Sequence, residues 1–532
     1  MKKFFKSGNP YIWLTAGTLT VCLLMIGGLI MLIMINGLGV FWPHRIAKMS
    51  LQDGAVILGE VAKRESIPHQ KDSYRTKLKI GNRDVYGMDF RWVDNANIVS
   101  CEYPTESLVF ERREWGNMYG FLKGLKQGDD IKPVDLKEMT ALLGTSRALF
   151  KKIRRIEKKE IGDINYDMEK YRLELKRLTF EQPTERIQKK TAAIRAHIDA
   201  LERSYREKED MLTGLYTRAR EKEIVALLAD GTEKAMPVLQ IIRVYAPNKM
   251  GFFAKIGFYF EKLWEFVSGE PREANTEGGI FPAIFGTVML VLIMSIAVVP
   301  LGVLTAVYLK EYASDNIVAR FVRISVSNLA GVPSIVFGVF GLGFFIYFIG
   351  GGIDKLFFPE SLPSPTFGTG GILWASLTLA LLTVPVVVVA TEEGLSSVPT
   401  SIREGAYALG ATKFETLWKV VLPQATPGML TGMILAMARA AGEVAPLMIT
   451  GVVKLAPSLP LDSHFPFVHL ERKFMHLGFH IYDVGFQSPN VEAAIPMVYT
   501  TTLVLLFTVL ILNLTAILVR NKLRKWYSTT SI

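Results

Sequence analysis

The sequence predicts an all-α polytopic membrane protein with six transmembrane helices and one large mixed α/β insert that faces water. Half of the 532 residues are hydrophobic, which is a high share for a soluble chain. Charge is concentrated, because residues 41–280 hold 43 of the 61 Lys and Arg residues and 37 of the 50 Asp and Glu residues. We therefore expect this stretch to face water and the remainder to lie in lipid.

Six apolar segments are long enough to cross a bilayer, which takes about 20 residues of helix. The first segment is longer than the apolar core of a signal peptide and lacks a cleavage site after it, so we interpret it as a retained helix. The predicted spans are about Tyr11–Phe41, Ile280–Tyr308, Asn328–Gly350, Gly370–Ala390, Pro427–Val453 and Ala493–Val519.

Basic residues flanking the spans predict the orientation. With Lys2, Lys3 and Lys6 in the cytoplasm, six crossings place both termini and most of the short basic loops inside. The chain then divides into a tail with the first helix (1–41), a periplasmic insert (42–279) and a membrane core with five helices (280–532). The predicted location is the bacterial inner membrane.

The insert is predicted to contain four parts. Short alternating runs indicate a β-rich unit over 50–120, and apolar steps of three, four and seven over 145–222 indicate a coiled-coil hairpin that turns near Pro183. A strand pair is expected within 224–245, between Ile224–Leu228 and Val238–Tyr245. The segment 251–268 reads as an amphipathic helix that lies either in the membrane interface or on the insert's own core.

The loop between the fourth and fifth spans, 392–426, carries a spaced motif: Glu404, Gly405, Ala406, then Gly410, then Leu422 and Pro423. Small residues allow a short helix to seat closely on a partner, and a glycine after a helix can take a left-handed conformation. We expect two short helices that form a rigid knob, the second of which ends at Pro423.

Arg439 and Glu443 lie inside the predicted fifth span. Charges in a membrane normally face the bundle interior or a water-filled path, and a spacing of four residues on a helix allows the two side chains to pair. One interpretation is a structural ion pair that locks two helices. The other is an anion path, because a guanidinium offers two parallel donors to an oxyanion.

The 404–423 loop resembles the EAA loop of ABC-importer permeases, and further stretches are similar to the A-type permease subunits (PstA) of phosphate importers. These stretches are 275–279, 332–338, 384–393, 401–410 and 438–447. The resemblance implies a type I ABC-importer permease fold, with Arg439 in the substrate path and Arg403 functionally important. We place Arg403, Arg439 and Glu443 in that path and assign the loop motif to coupling with an ATPase.

The resemblance also implies a function and partners. The chain is predicted to be one permease subunit of an importer for inorganic phosphate, with a C-type permease, two ATP-binding subunits and a periplasmic phosphate-binding protein. Sulfate or molybdate remains an alternative cargo, and an envelope phosphate sensor is an alternative function that the large insert would suit. The resemblance does not extend to the insert, whose role stays open.

Several classes are disfavoured by the sequence. It contains no Gly-x-x-x-x-Gly-Lys-Ser/Thr phosphate loop, so we expect a partner ATPase to use the ATP. This chain is expected to bind no cofactor. The two cysteines and seven histidines show no metal-ligand spacing. The net charge of +11 is divided between the two parts, which argues against nucleic-acid binding. No catalytic residue is predicted.

Overall fold

The computed structural model describes residues 9–68, 73–128, 130–313, 317–488 and 490–529. The chain divides into two compact units. The membrane unit comprises Met1–Val40, Val267–Glu270 and Gly279–Ile532, and the insert unit comprises Phe41–Phe266 and Pro271–Gly278. Lys2, Lys3 and Lys6, which support the predicted orientation, lie outside the described residues.

Two antiparallel sheets dominate the described part of the insert unit. The first has the order β4-β3-β2-β1-β5, and the second has the order β10-β9-β7-β6-β11, with β8 paired to β7. Their buried side chains include Phe110, Met118 and Tyr119, none of which has exposed surface. The strands are β1 Ile46–Leu51, β2 Val56–Ser66, β3 Tyr74–Lys79, β4 Phe90–Asp94, β5 Ile98–Glu102, β6 Leu108–Arg112, β7 Asn117–Gln127, β8 Asp130–Lys132, β9 Lys222–Leu227, β10 Glu233–Pro237 and β11 Ile241–Tyr245, followed by the short pair β12 Pro271–Arg272 and β13 Glu277–Gly278.

The strand pair expected within 224–245 differs from the one observed. β9 pairs with β10, and Gly231 turns the chain between them with φ +85°, a left-handed conformation that suits glycine. Residues Val238–Gln240 then form a 3-10 turn that carries the chain to the other edge of the sheet, where β11 pairs with β6. The sequence pattern identified a strand near 241–245 but assigned it the wrong neighbour, because the true neighbour is more than a hundred residues away.

A helical hairpin separates β8 from β9. Its first arm runs through Leu136–Arg155, a wide π turn and Ile161–Leu178, and its second arm is Glu185–Arg220. The arms are antiparallel, since Lys190 contacts Glu174 at 2.7 Å near the tip and Lys208 contacts Glu160 at 2.7 Å nearer the sheets. The second sheet is therefore completed by strands from both sides of the hairpin, beyond the predicted β-rich range of 50–120.

The segment Phe252–Ser268 is a helix, named here the aromatic helix. Phe258 and Phe266 are buried on one side, and Phe258 packs on Tyr245 of β11 with the ring centroids 4.5 Å apart. The expectation that this helix packs on the insert is thus met for one face.

Six helices in the described part of the membrane unit are long and apolar enough to cross a bilayer, as expected. The fourth span packs against the second and the fifth, where glycines permit close approach: Gly302 faces Val387, and Gly432 faces Ala390. From first to sixth, the spans are Tyr11–Gly39, Phe281–Tyr312, Ser334–Phe357, Ile372–Ser396, Lys413–Gly442 and Val491–Lys525, and shorter helices cover Ile317–Leu329, Thr400–Ala408, Ala445–Thr450 and Leu477–Tyr482.

The fifth span differs from the prediction at both ends. It begins at Lys413 and continues through Pro423. A π turn over Leu417–Val421 precedes the proline. The wider turn makes room for the proline ring, which would otherwise clash with the preceding turn and which has no N–H to donate to it. It ends at Gly442, where Glu443 is extended, and a separate short helix follows with Pro446 in its first turn. The predictions that Pro423 ends a helix and that the span reaches Val453 are therefore wrong.

Candidate functional site

Arg439 and Glu443 form a loose pair at the end of the fifth span. Arg439 Nε lies 3.7 Å from Glu443 Oε1, and the two side chains are 37% and 21% exposed. Because the helix ends between them, the contact joins the last helical turn to an extended residue. Arg439 also lies where a cation complements the partial negative charge of the helix C-terminus.

The face of the fifth span that carries Arg439 is open in this chain. Leu435, one turn earlier, is 54% exposed. Ala440 and Ala441, which point away from Leu435, are buried in the core of the membrane unit. A guanidinium on an open face of an apolar helix is not suited to lipid, so protein or water must cover it.

The predicted knob is a compact helix–turn–helix. The helix Thr400–Ala408, named here the coupling helix, is followed by a turn at Gly410, which has φ +83°. Ala411 N donates to Ala406 O at 3.1 Å across this turn. The next helix starts with a capping box, in which Thr412 Oγ1 accepts from Glu415 N and Glu415 Oε2 accepts from Thr412 N.

The knob presents an uncovered surface. Glu404 and Gly405 are exposed, and a Cβ on Gly405 would meet no atom within 4 Å. Ala406 is half-buried, while Leu409 at the turn is 90% exposed. Leu422 and Pro423 lie apart from this surface, inside the helix that becomes the fifth span.

Arg403 is placed with the second span and not with Arg439. Its Nη1 is 2.5 Å from Glu311 Oε1, and its Nη2 donates to Leu395 O at 2.8 Å. Lys413 donates to the carbonyl of Glu311 and lies over the ring of Tyr312. The sequence reasoning missed Glu311, although an acidic residue within an otherwise basic flank was an available signal.

The segment between the fifth and sixth spans also holds an unpredicted polar cluster. Asp462 Oδ2 lies 2.6 Å from Arg472 Nη1, and Asp462 Oδ1 lies 3.0 Å from His469 Nε2. Burial opposes ionisation of Asp462, but hydrogen bonds from the His464 backbone, Arg472 and His469 lower its pKa to about 2. The cluster stabilises a loop and stands apart from the residues predicted to act on substrate.

No group of three or more His, Cys, Asp or Glu side chains is arranged to hold a metal ion within the described ranges. The arrangement instead combines an open guanidinium with an exposed knob on one continuous helix. The half-exposed guanidinium offers hydrogen-bond donors to an anion, and the knob offers an exposed surface to a partner.

Comparison with known proteins shows that the knob and the Arg439–Glu443 pair both lie in the region that matches one protein family. Residues 298–526 match the family described as the binding-protein-dependent transport system inner membrane component. That range includes the coupling helix, Arg439 and Glu443, and it excludes the insert unit.

Individual relatives extend this match. The phosphate transport system permease protein PstA of Mycobacterium leprae is 38% identical over 196 residues, which are 36% of this chain and 59% of the relative. The probable ABC transporter permease protein YqgI of Bacillus subtilis is 31% identical over 237 residues, 43% of this chain and 74% of the relative. A solved structure of the MetNI methionine ABC transporter aligns with 49% of this chain at 18% identity and a TM-score of 0.33. This chain thus spans about three fifths of the Mycobacterium relative.

Proposed function

Because this chain belongs to the family of ABC-transporter permeases known as binding-protein-dependent transport system inner membrane components, we propose that it is a permease subunit that imports inorganic phosphate. Transport would run from the periplasm to the cytoplasm and use ATP hydrolysed by partner subunits. The cargo is supported by relatives named as phosphate permeases in several organisms.

The observation that carries this proposal is the open position of Arg439. Its loose contact with Glu443 leaves guanidinium donors available to the oxygens of a phosphate ion. Glu443 limits how strongly the phosphate is held, because its carboxylate lies close to the guanidinium and repels the bound anion. Both residues therefore suit a transient site on a path better than a storage site.

The open face also supports a second permease subunit. A C-type partner that covers Leu435 and Arg439 would enclose a water-filled path between the two chains, which removes the cost of exposing the guanidinium to lipid. Phosphate would reach this path from a periplasmic binding protein. No cofactor is assigned to this chain.

The exposed knob supports docking of the two ATP-binding subunits, one on each permease. The helix from Lys413 to Gly442 has 30 residues and is about 45 Å long, so it links the knob to Arg439 as one rod. The Arg403–Glu311 contact links the coupling helix to the second span as well. We assign Arg403 this positioning role in place of the predicted role in the substrate path.

We also propose a membrane orientation for the chain and a packing mode for the helical hairpin. The knob and both termini lie in the cytoplasm, and the insert 42–279 lies in the periplasm. The two arms of the helical hairpin pack as an antiparallel coiled coil, which the buried Ile153, Ile156 and Leu215 support.

The test is uptake of radiolabelled phosphate in cells that lack their own importer and carry this chain with its partner subunits. Arg439→Gln should reduce uptake about 10- to 100-fold, as expected for a lost hydrogen bond to a charged group. Lys522→Gln removes an exposed cation from the sixth span, outside the knob, and should leave uptake unchanged.

Three results would contradict the proposal. Normal uptake by Arg439→Gln in an assembled complex would remove Arg439 from the path. Uptake that unlabelled sulfate or molybdate competes away would change the cargo. An assembled wild-type complex that takes up no oxyanion would instead favour a sensor.

A further inference from the structure

The aromatic helix, Phe252–Ser268, has one face that the insert unit does not cover. Phe253 is 86% exposed, Phe260 is 61% exposed and Trp264 is 72% exposed. These positions are spaced by seven and four residues and therefore lie on one side of the helix. Phe252, which is 66% exposed, extends the surface at the helix start.

The opposite face is held by buried charges, so the helix cannot turn its aromatic side inward. Lys262 contacts the buried carboxylate of Glu111. Glu265 lies 3.0 Å from Arg272, whose guanidinium is also 3.0 Å from Glu111. Rotation of the helix would separate these ions and leave Glu111 buried with fewer partners, which is strongly unfavourable.

The chain also tethers this helix close to the membrane. The first span ends at Gly39, and only two residues separate Gly39 from Trp42. Trp42 packs on Phe252 and Tyr259, with ring centroids 6.1 and 6.3 Å apart. Three residue steps reach about 10 Å, so this contact keeps the helix near the boundary where the first span leaves the bilayer.

We propose that the exposed aromatic face of Phe252–Ser268 inserts into the interfacial layer of the lipid bilayer. An exposed face of Phe and Trp next to a polar face is the pattern of helices that lie in the membrane plane, with the apolar side about 5–10 Å deep. Indole rings favour that layer because one ring carries both an apolar body and an N–H donor. The insert unit is then held at the membrane by this face in addition to its covalent connections to the membrane unit.

The proposal is tested with nitroxide spin labels on the full chain in nanodiscs of phosphatidylethanolamine and phosphatidylglycerol. Cys22→Ala and Cys101→Ala remove the two native thiols, and Phe260→Cys supplies the label site. Phe180→Cys is the matched control, because Phe180 is a 64% exposed phenylalanine at the tip of the helical hairpin. Collision rates are measured with oxygen, which concentrates in lipid, and with a neutral nickel chelate, which stays in water.

The label at position 260 should collide several-fold more often with oxygen than with the chelate, and the label at 180 should show the reverse. Phe253→Cys should behave like Phe260→Cys, which guards against a local artefact of one label. Equal chelate access at 260 and 180 would overturn the proposal. Protection of position 260 from both reagents would also overturn it and would indicate that protein, such as a second copy, covers this face.

Discussion

Glu111 is a buried carboxylate that forms ion pairs with three cations in the insert unit. Its carboxylate contacts Lys262 and Arg272 and lies 3.6 Å from Arg243, and only 4% of the side chain is exposed. Burial by itself would raise the pKa of Glu111, but the three cations outweigh it and lower the pKa. Ionised Glu111 is therefore part of the folded structure.

Glu111→Gln should lower the free energy of unfolding by about 3 kcal/mol or more, because three cations lose a buried counter-charge. The midpoint of thermal unfolding in detergent, followed by tryptophan fluorescence, measures the change. Glu233→Gln is the control, since Glu233 and its partner Lys123 are each more than 40% exposed and such pairs contribute less than about 1 kcal/mol. Equal shifts for the two variants would contradict this account.

The same residue predicts a pH dependence. A carboxyl group whose pKa is lower in the folded state stabilises that state above the ordinary glutamate pKa of about 4.3, and the stabilisation is lost as the pH falls below it. Wild-type stability should therefore decline on acidification, and the decline should be shallower in Glu111→Gln.

At the scale of elements, the knob and the fifth span form one continuous structure. The π turn before Pro423 lets a helix that starts at the exposed turn run on to Arg439. In the proposed function, this continuous helix would carry motion of the knob toward Arg439. Gly410 sets the angle between the coupling helix and this rod.

Gly410→Val should reduce phosphate-stimulated ATP hydrolysis by the assembled complex in proteoliposomes. A β-branched residue at φ +83° costs about 1–2 kcal/mol or more, which is relieved by distorting the turn. Gly231→Val is the matched control, because Gly231 has a similar φ of +85° and open space around it but lies in a turn of the insert unit, outside the knob. Normal stimulation in Gly410→Val would show that this turn does not transmit the signal.

At the scale of the whole molecule, the orientation can be tested with a native thiol. Cys101 is exposed in the insert unit, whereas Cys22 lies within the first span. A membrane-impermeant maleimide should label Cys101 in intact spheroplasts. Asn521→Cys in a Cys101→Ala chain should react only after permeabilisation, since the proposal puts the C-terminal end of the sixth span in the cytoplasm. Labelling in the opposite sense would reverse the orientation.

The number of apolar helices and the presence of a charged insert were determined by the sequence alone. These features are local, because a bilayer requires about 20 apolar residues in a row and a water-facing domain requires charge. The helix-ending role of Gly410 was equally readable, since left-handed backbone favours glycine. The pairing of Arg439 with Glu443 was also predicted from the sequence. That prediction placed both residues on one helix, whereas the helix ends at Gly442, between them.

Only the tertiary structure decided which distant segments meet. The pairing of β11 with β6 and the contact of Arg403 with Glu311 join residues 92 or more positions apart, and no local pattern encodes such partners. The passage of a helix through Pro423 and the end of the fifth span at Gly442 depend on how neighbouring segments accommodate backbone groups. The two faces of the aromatic helix were likewise separated by tertiary packing, because burial against the insert decides which aromatic side chains remain exposed.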